Sequence, residues 1–526
     1  MTTDKPEIPE REEIEALSTA QAELESAKAN STVEKGADDA LNFILNARGG
    51  DWREEEEHSI IRKIDFVVVP LLFLANIIGY ADTQAYGFAA LFGLVEDLKL
   101  YTVEIVNGQQ AMNMEKYQWT AAIIALGSAA GQYPLLYTAQ FLPYALFFGV
   151  ILLFIGVMST LVITCQNFSH IMALRFFLGF ATVVQPLGVI MTSMWWKTDE
   201  QPLRLGIFIS GTAFGNLVGQ GIDLGAIKMR GSFAASPWKR IYIILGPCTI
   251  FIGVLFCAIL PSTPMKAWFL TPREREIAVR RLAANQTGIQ TRKFKWAQAR
   301  EAFLDPQLYL LMVFSFTFAF SNNAVSSFGG FLVQSFGYSN ERALMLFMPA
   351  SAVALVAFLL AGFLSRRFPQ HRIFTAICFI IPTLVGNILL WMSPRNNKAA
   401  LLAGLYISST FYGALVQHYS LIAANVAGHS KKTVINGAVT IMANLGSFSG
   451  PWAYRGSQAS IGFRDGQIAT VTLMGASIVS YSILWLYYTR CNKKKAALRE
   501  RRSRDDPNLA FMDLTDQENP VFYYTR

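Results

Sequence analysis

Twelve apolar runs divide the chain, at approximately 66–90, 119–139, 144–165, 170–195, 204–226, 241–260, 307–331, 343–364, 373–393, 400–424, 433–454 and 467–489. A helix that crosses a bilayer needs about 20 mostly apolar residues, and each run supplies that length. The rest of the 526-residue composition agrees. Hydrophobic residues make up 52% and charged residues only 16%, whereas a soluble domain is roughly a quarter charged. Soluble, secreted disulfide-framed and disordered chains are excluded. The sequence predicts an all-α membrane protein with twelve transmembrane helices, embedded in the lipid bilayer.

Charge is distributed unevenly. Residues 1–57 hold 16 acidic and 6 basic side chains, so the net charge of +8 conceals a basic remainder. The basic residues lie in loops between runs, where topology explains them better than a nucleic-acid partner does. Lys197 and Arg204, Arg366, Arg367 and Arg372, Lys431 and Lys432, and the tail from Lys493 fall on one side if the runs alternate from a cytoplasmic N-terminus. Lys228, Arg230, Lys239 and Arg240 fall on the other. The organisation expected is an acidic, largely disordered cytoplasmic tail (1–60) and a first six-helix half (61–260). A basic cytoplasmic loop (261–306), a second half (307–490) and a cytoplasmic tail (491–526) follow. No basic n-region precedes an apolar h-region, so no cleavable signal peptide is expected. The plasma membrane is the default location. The cysteines form no C-x-x-C pair and read as packing residues.

Six runs, a long basic loop and six more suggest two pseudo-symmetric halves. Gln140-Phe141-Leu142-Pro143 after run 2 is echoed by Arg366-Arg367-Phe368-Pro369 after run 8. Small residues recur at four-residue spacing: Gly127 and Gly131 in run 2, Gly211, Gly215 and Gly219 in run 5, Ala350 and Ala354 in run 8, Gly446 and Gly450 in run 11. Such spacing lets two helix backbones approach closely. Either it serves generic packing, or its placement on runs 2, 5, 8 and 11 marks a seam on which the two halves slide.

Several segments carry a family resemblance. They include Tyr80-Ala81-Asp82-Thr83-Gln84, Gly131-Gln132-Tyr133-Pro134, Leu174-Arg175-Phe176-Phe177-Leu178-Gly179, Leu260-Pro261-Ser262-Thr263-Pro264, Ala424-Asn425-Val426-Ala427-Gly428-His429 and Asp513-Leu514-Thr515-Asp516. From about Ile61 onward the chain resembles the major facilitator superfamily, and within it the fungal allantoate permease group of anion:cation symporters. The resemblance implies the major facilitator fold and secondary transport of a small organic anion coupled to protons. The chain departs from the group at Thr83, where a basic residue is expected, and at Gln132 and Thr182, where acidic ones are. Ser447 and Trp452 stand where Asn and Gln are common. The resemblance links the missing basic residue to anion binding and the missing acids to proton coupling.

Few ionisable groups fall within the runs, and a buried charge there needs a partner or an aqueous cavity. Asp82 in run 1 and Arg175 in run 4 should lie at similar depth. Either Arg175 attracts an acidic substrate group while Asp82 exchanges a proton, or the two form a permanent ion pair. His418 in run 10 is a second titratable candidate, or else hydrogen-bonds a neighbouring helix. Asp223 is expected to reach water at the outer end of run 5. Asn322 and Asn323 are expected to interrupt run 7 and line a cavity or pack. Tyr412, Gln132 and Thr182 complete the binding or coupling candidates, with Tyr80, Gln185 and Asn216 behind them. Pro186 is expected to kink run 4.

No Walker loop, dinucleotide glycine fingerprint, H-E-x-x-H or C-x-x-C set is present, so no cofactor, metal or enzymatic activity is expected. Two transport readings stand side by side. One is proton-coupled movement of a carboxylate or ureide-like anion. The other is export or facilitated transfer of a less charged metabolite. A third reading, from another class, is a sensor without flux. One chain holds a complete pathway, so a functional monomer is expected.

Overall fold

The computed structural model describes residues 52–106, 109–139, 141–197, 200–229, 236–283, 295–501, 514–519 and 522–526. The acidic segment before residue 52 and the Asn285 stretch of the basic loop lie outside the described residues. Two compact units share the chain: residues 1–61 with 264–290, and residues 62–263 with 291–526. In the first, the helix Pro272–Ala283 opens on a reciprocal cap. The Thr271 amide donates to the Glu274 carboxylate at 2.9 Å and the Glu274 amide to the Thr271 hydroxyl at 3.3 Å. This satisfies donors that a helix start leaves unpaired.

Long helices stand at every predicted run. We number them as spans: 1, Glu54–Ala89; 2, Glu115–Thr138; 3, Tyr144–Leu161; 4, Phe168–Phe180 and Val184–Trp195; 5, Gln201–Lys228; 6, Pro237–Ile259. The second set is 7, Pro306–Gln334; 8, Asn340–Arg367; 9, Arg372–Met392; 10, Lys398–Ser408 and Phe411–Asn425; 11, His429–Ala453; 12, Arg464–Arg501. Among the described residues, ten helices are long and apolar enough to cross a membrane. Spans 2 and 11 are the less apolar ones, because they pack on each other across the molecule instead of facing lipid. Spans 3, 6, 9 and 12 instead turn apolar side chains outward at helical spacing, such as Leu146, Val150 and Val157, or Phe374, Ile381 and Val385. A stripe of that kind is what hydrocarbon covers.

We call the side on which span 1 begins the near face, and the opposite side the far face. At the far face a two-stranded hairpin, β1 (Thr102–Val106) and β2 (Gln109–Asn113), joins spans 1 and 2. Span 4 breaks at Ala181–Val183, where the Pro186 ring would meet the carbonyl of Thr182 in an unbroken helix. Span 7, by contrast, is continuous through Asn322 and Asn323. The expected interruption is absent because both carboxamides find partners without unwinding the helix.

The glycine stripes carry the pseudo-symmetry, but not at the predicted seam. A Cβ on Gly211, Gly215 or Gly219 would meet span 1, at Phe73 and Asn76, at Ile77 and Tyr80, and at Ala81 in turn. On Gly446 and Gly450 it would meet the span 7 backbone at Phe316 and Phe320. Span 5 therefore rides on span 1 as span 11 rides on span 7. Gly127 and Gly131 close on Phe176 and Phe180 of span 4. All seven glycines face partners in their own half, and the expectation that they line the half–half seam is corrected. Spans 2, 5, 8 and 11 do meet across the halves, but through side chains. Other glycines do lie between the halves: a Cβ on Gly87 would strike the Ser326 carbonyl of span 7, one on Gly330 would come within 3.3 Å of Leu91, and one on Gly437 within 3.2 Å of the Tyr133 hydroxyl of span 2.

The seams of span 5 on span 1 and of span 11 on span 7 are each pinned at the near face by a charge. Asp65 of span 1 takes a two-pronged contact from Arg204 of span 5, at 2.8 and 2.6 Å, the geometry that makes Arg–carboxylate pairs strong. The matching place in the second half is richer. The fully buried Lys431 ammonium lies 2.7 Å from Asp305, 2.8 Å from Glu301 and 2.8 Å from Asp516. Asp516 belongs to the C-terminal tail, whose described residues 514–519 and 522–526 are thus built into the structure. Asn492 pairs with the Tyr524 backbone at 2.8 and 2.9 Å, and Asn425 with that of Thr525 at 2.9 and 2.8 Å. The Tyr524 hydroxyl donates to Asp516 at 2.7 Å, and burial with that carboxylate beside it holds the phenol above its usual range.

Two stability predictions follow from these contacts. Lys431→Met leaves Asp305 and Asp516 buried without their cation, and breaking such a network costs about 3–5 kcal/mol. The thermal midpoint of the purified protein should drop well below that of Lys432→Met, whose side chain is exposed. Gly446→Val should abolish monodisperse protein on size exclusion, whereas Gly475→Val, with open space at its Cβ, should leave it intact.

Candidate functional site

The first half holds a polar centre around Asp82 and Arg175, both buried. They do not form the ion pair that one sequence reading foresaw. The Asp82 carboxylate accepts a short hydrogen bond from Ser159 of span 3. Arg175 donates through Nε to the Thr120 carbonyl of span 2 at 2.8 Å, and its guanidinium lies 3.6 Å over the Tyr86 ring. A cation over an aromatic face is stabilised without a counter-ion. Tyr86 stacks on Tyr117 with centroids 5.4 Å apart, and the Tyr117 hydroxyl reaches the Ser327 carbonyl of span 7 at 2.6 Å. The buried arginine is therefore wired into the contact between halves.

Other links between the halves run from mid-depth to the far face. Gln118 donates to the Tyr454 carbonyl at 3.0 Å, Asn340 to that of Leu91 at 2.7 Å, and Gln220 to the Ser351 hydroxyl at 2.8 Å. Lys228 pairs with Glu341 at 3.3 Å.

A partly open cavity lies between the halves. Gln84 and Asn216 line it from the first half, and spans 7 to 10 and 12 supply the remainder. Its polar groups are carboxamides (Gln84, Asn216, Asn322, Asn387) and hydroxyls such as Ser321, Ser351, Ser409 and Tyr412. No carboxylate, ammonium, guanidinium or imidazole is among its described lining residues. The Tyr412 hydroxyl donates to Asn322 at 2.6 Å and stands 3.5 Å from the Asn216 amide nitrogen. Asn216 Oδ1 and Ser321 Oγ are buried with no hydrogen-bond partner. An unanswered acceptor from one half and an unanswered hydroxyl from the other are what a polar solute would satisfy.

The predicted residues separate accordingly. Asn322 and Tyr412 line the cavity, while Asn323 turns to the Ser447 carbonyl of span 11. His418 is enclosed in the second half, with Nε2 2.8 Å from Ser315, Nδ1 3.0 Å from the Tyr481 hydroxyl and its ring 4.7 Å from that of Phe314. It does not reach the cavity. Thr182 bonds back to the Gly179 carbonyl beside the break in span 4, and Gln132 is half-buried away from the cavity. Asp223, expected at water, is fully buried. Sequence reasoning passed over Gln84, Ser321, Ser351 and Asn387. Their only signal is a small polar residue inside an apolar run, a pattern shared with many packing positions.

Comparison with known proteins agrees with this architecture. Residues 72–451 match the Major Facilitator Superfamily. An uncharacterized transporter of Schizosaccharomyces pombe is 29% identical over 494 residues, covering 93% of this chain and 94% of its own. Allantoate permease of Saccharomyces cerevisiae is 29% identical over 502 residues, covering 93% and 90%. The crystal structure of a bacterial homologue of the human lysosomal transporter Spinster, inward-facing and unoccupied, matches with a TM-score of 0.62 at 15% identity, covering 80% of this chain and 96% of that one. That last likeness speaks for the fold alone. With twelve long helices in two halves around a central cavity, the chain belongs to the major facilitator superfamily and is a multi-pass membrane transporter.

Proposed function

We propose that this transporter works by alternating access and carries a small polar solute that presents amide, ureide or hydroxyl groups to the cavity, with no charge paired there. The observation that carries this reading is the cavity lining: four carboxamides, several hydroxyls and no full charge. Carboxamides offer donor and acceptor together, which suits amide and ureide groups. Asn216 Oδ1 and Ser321 Oγ supply the free valences. The ureide part of allantoate, the solute named for the yeast relative, is of this chemical kind.

A second reading, transport of a carboxylate with protons, is supported by one feature. Arg175 is a buried cation whose Nε serves a backbone carbonyl and which has no carboxylate within ion-pair distance. It stands outside the cavity lining, so an anion would have to reach beyond the carboxamides. The near face, with Arg366, Arg367 and Lys432, fits a cytoplasmic orientation of both termini by the positive-inside tendency. The plasma membrane is the location proposed.

Uptake and efflux in cells expressing the protein test both readings, with allantoate, the neutral ureide allantoin and a simple monocarboxylate as probes. The first reading expects allantoin to move at least as well as allantoate, with Asn322→Ala and Asn216→Ala each raising the half-saturation concentration about tenfold, the loss of one well-placed hydrogen bond. Transport confined to the carboxylates, abolished by Arg175→Lys and indifferent to Asn322→Ala, would replace the first reading with the second. Absence of flux for all three in either direction, from protein shown to reach the membrane, would count against both.

A further inference from the structure

One buried group takes part in none of these contacts. Asp223 follows Gly219 by four residues on the stripe Gly211–Gly215–Gly219, which lies against span 1. Its side chain is fully buried, and neither carboxylate oxygen has a hydrogen-bond partner. No ion pair reaches it. An isolated ionised carboxylate in an apolar interior is far too costly to persist beside a proton source, so in this conformation Asp223 is the neutral acid.

The stripe also gives its register. Gly211 faces Phe73 and Asn76, Gly215 faces Ile77 and Tyr80, and Gly219 faces Ala81. Asp223 therefore stands opposite residues 84–85 of span 1. That is about 3–4.5 Å of helical rise farther toward the far face than Asp82, at 1.5 Å per residue. Tyr242 of span 6, Tyr86 and Arg175 are the other ionisable groups near the pair. The charges farther out are already engaged: Lys228 with Glu341 at 3.3 Å, Asp97 with the Trp238 indole at 2.7 Å, Lys239 over the Trp238 ring, and Arg240 with the Met229 carbonyl. The next step on the corresponding stripe of span 11, after Gly446 and Gly450, is Tyr454. The acid is thus a feature of one half only.

We propose that Asp223 is a proton-binding site and that, with Asp82, it forms a two-carboxyl relay between spans 5 and 1. Asp223 loads a proton from the far side when the halves part there. It passes the proton inward to the Asp82 carboxylate, breaking one O–H bond and forming another with the pair's charge unchanged in that step; the Asp223 carboxylate so formed is reprotonated from the far side, and Asp82 releases its proton toward the near face. Asp82 accepts a hydrogen bond from the Ser159 hydroxyl, which favours its charged form relative to that of the unsupported Asp223. Asp223 has no such support and is equipped to hold the proton. The glycine contact allows span 5 to shift along span 1 without side chains interlocking, which alters the gap between the two acids. The relay rests on the transporter reading for its place in a cycle, but the proton site itself does not.

Infrared difference spectroscopy on the full chain in liposomes tests the site with protons as the only ligand. Near neutral pH the wild type should show a protonated-carboxyl band of about one group per chain. The band should be missing from Asp223→Asn, kept but shifted in frequency in Asp223→Glu, and kept in Asp82→Asn. Because the native group is neutral, Asp223→Asn should fold with an unchanged elution profile. If that variant misfolds, the frequency shift in Asp223→Glu still assigns the band. A wild type with no protonated carboxyl, a band unchanged in both Asp223 variants, or a band that disappears when sodium replaces potassium at fixed pH would overturn the proposal. Solute flux with no Asp223 band would defeat the relay and leave the transporter reading standing.

Discussion

Inside a hydrocarbon layer no water answers an N–H or a C=O, so a chain that crosses it must satisfy its backbone with helices and its polar side chains with one another. That constraint accounts for the length of the spans. It also explains why so many intramembrane polar groups here are fully engaged. Arg175 has a carbonyl and an aromatic face, His418 has a hydroxyl on each ring nitrogen, and Asn323 has a backbone carbonyl from the neighbouring span. Against that background, groups left unanswered carry information. Asn216 and Ser321 are among the residues lining the central cavity, and Asp223 sits beside the polar centre of the first half.

The same assembly is used twice. In each half one helix rides on another along glycines, and an ion pair pins the bases of that pair of helices: Asp65 with Arg204 in the first, Asp305 with Lys431 in the second. Close backbone approach and a fixed base make each half a stiff body. The contacts between halves are of another kind: single hydrogen bonds, aromatic edges, the exposed Lys228–Glu341 ion pair and the Gly87 approach, found mainly from mid-depth to the far face. Rigid halves joined by separable contacts are what rocking about a central cavity requires.

The sequence made the twelve helices legible, because run length and apolarity are the very quantities a bilayer imposes. It also pointed to the small-residue stripes and to Asp82, Arg175, Asn322 and Tyr412. It misassigned the direction the stripes face, since four-residue spacing identifies a close contact without saying which helix supplies the other side. Gly87, which shares run 1 with Gly79 but belongs to no four-residue stripe, nonetheless meets the other half. The cavity lining was equally hidden, because Ser351 or Asn387 reads the same whether it packs or binds. His418 looked distinctive by residue type, and only its partners revealed an enclosed position. The tail signature around Asp516 was visible as a motif, but its ion pair with Lys431 joins residues far apart in the chain.

The central claim is that two rigid halves rock about the cavity, opening one face as they close the other. Spin-label distance measurements address it directly, in a chain freed of native cysteines. One pair of labels would replace Lys228 and Glu341 at the far face, the other Tyr137 and Lys432 at the near face, positions exposed on opposite halves. Across acidic and neutral pH, with and without allantoate or allantoin, the far-face distance should lengthen in the same populations in which the near-face distance shortens. Two distances that stay fixed under all conditions, or that lengthen together, would contradict the account.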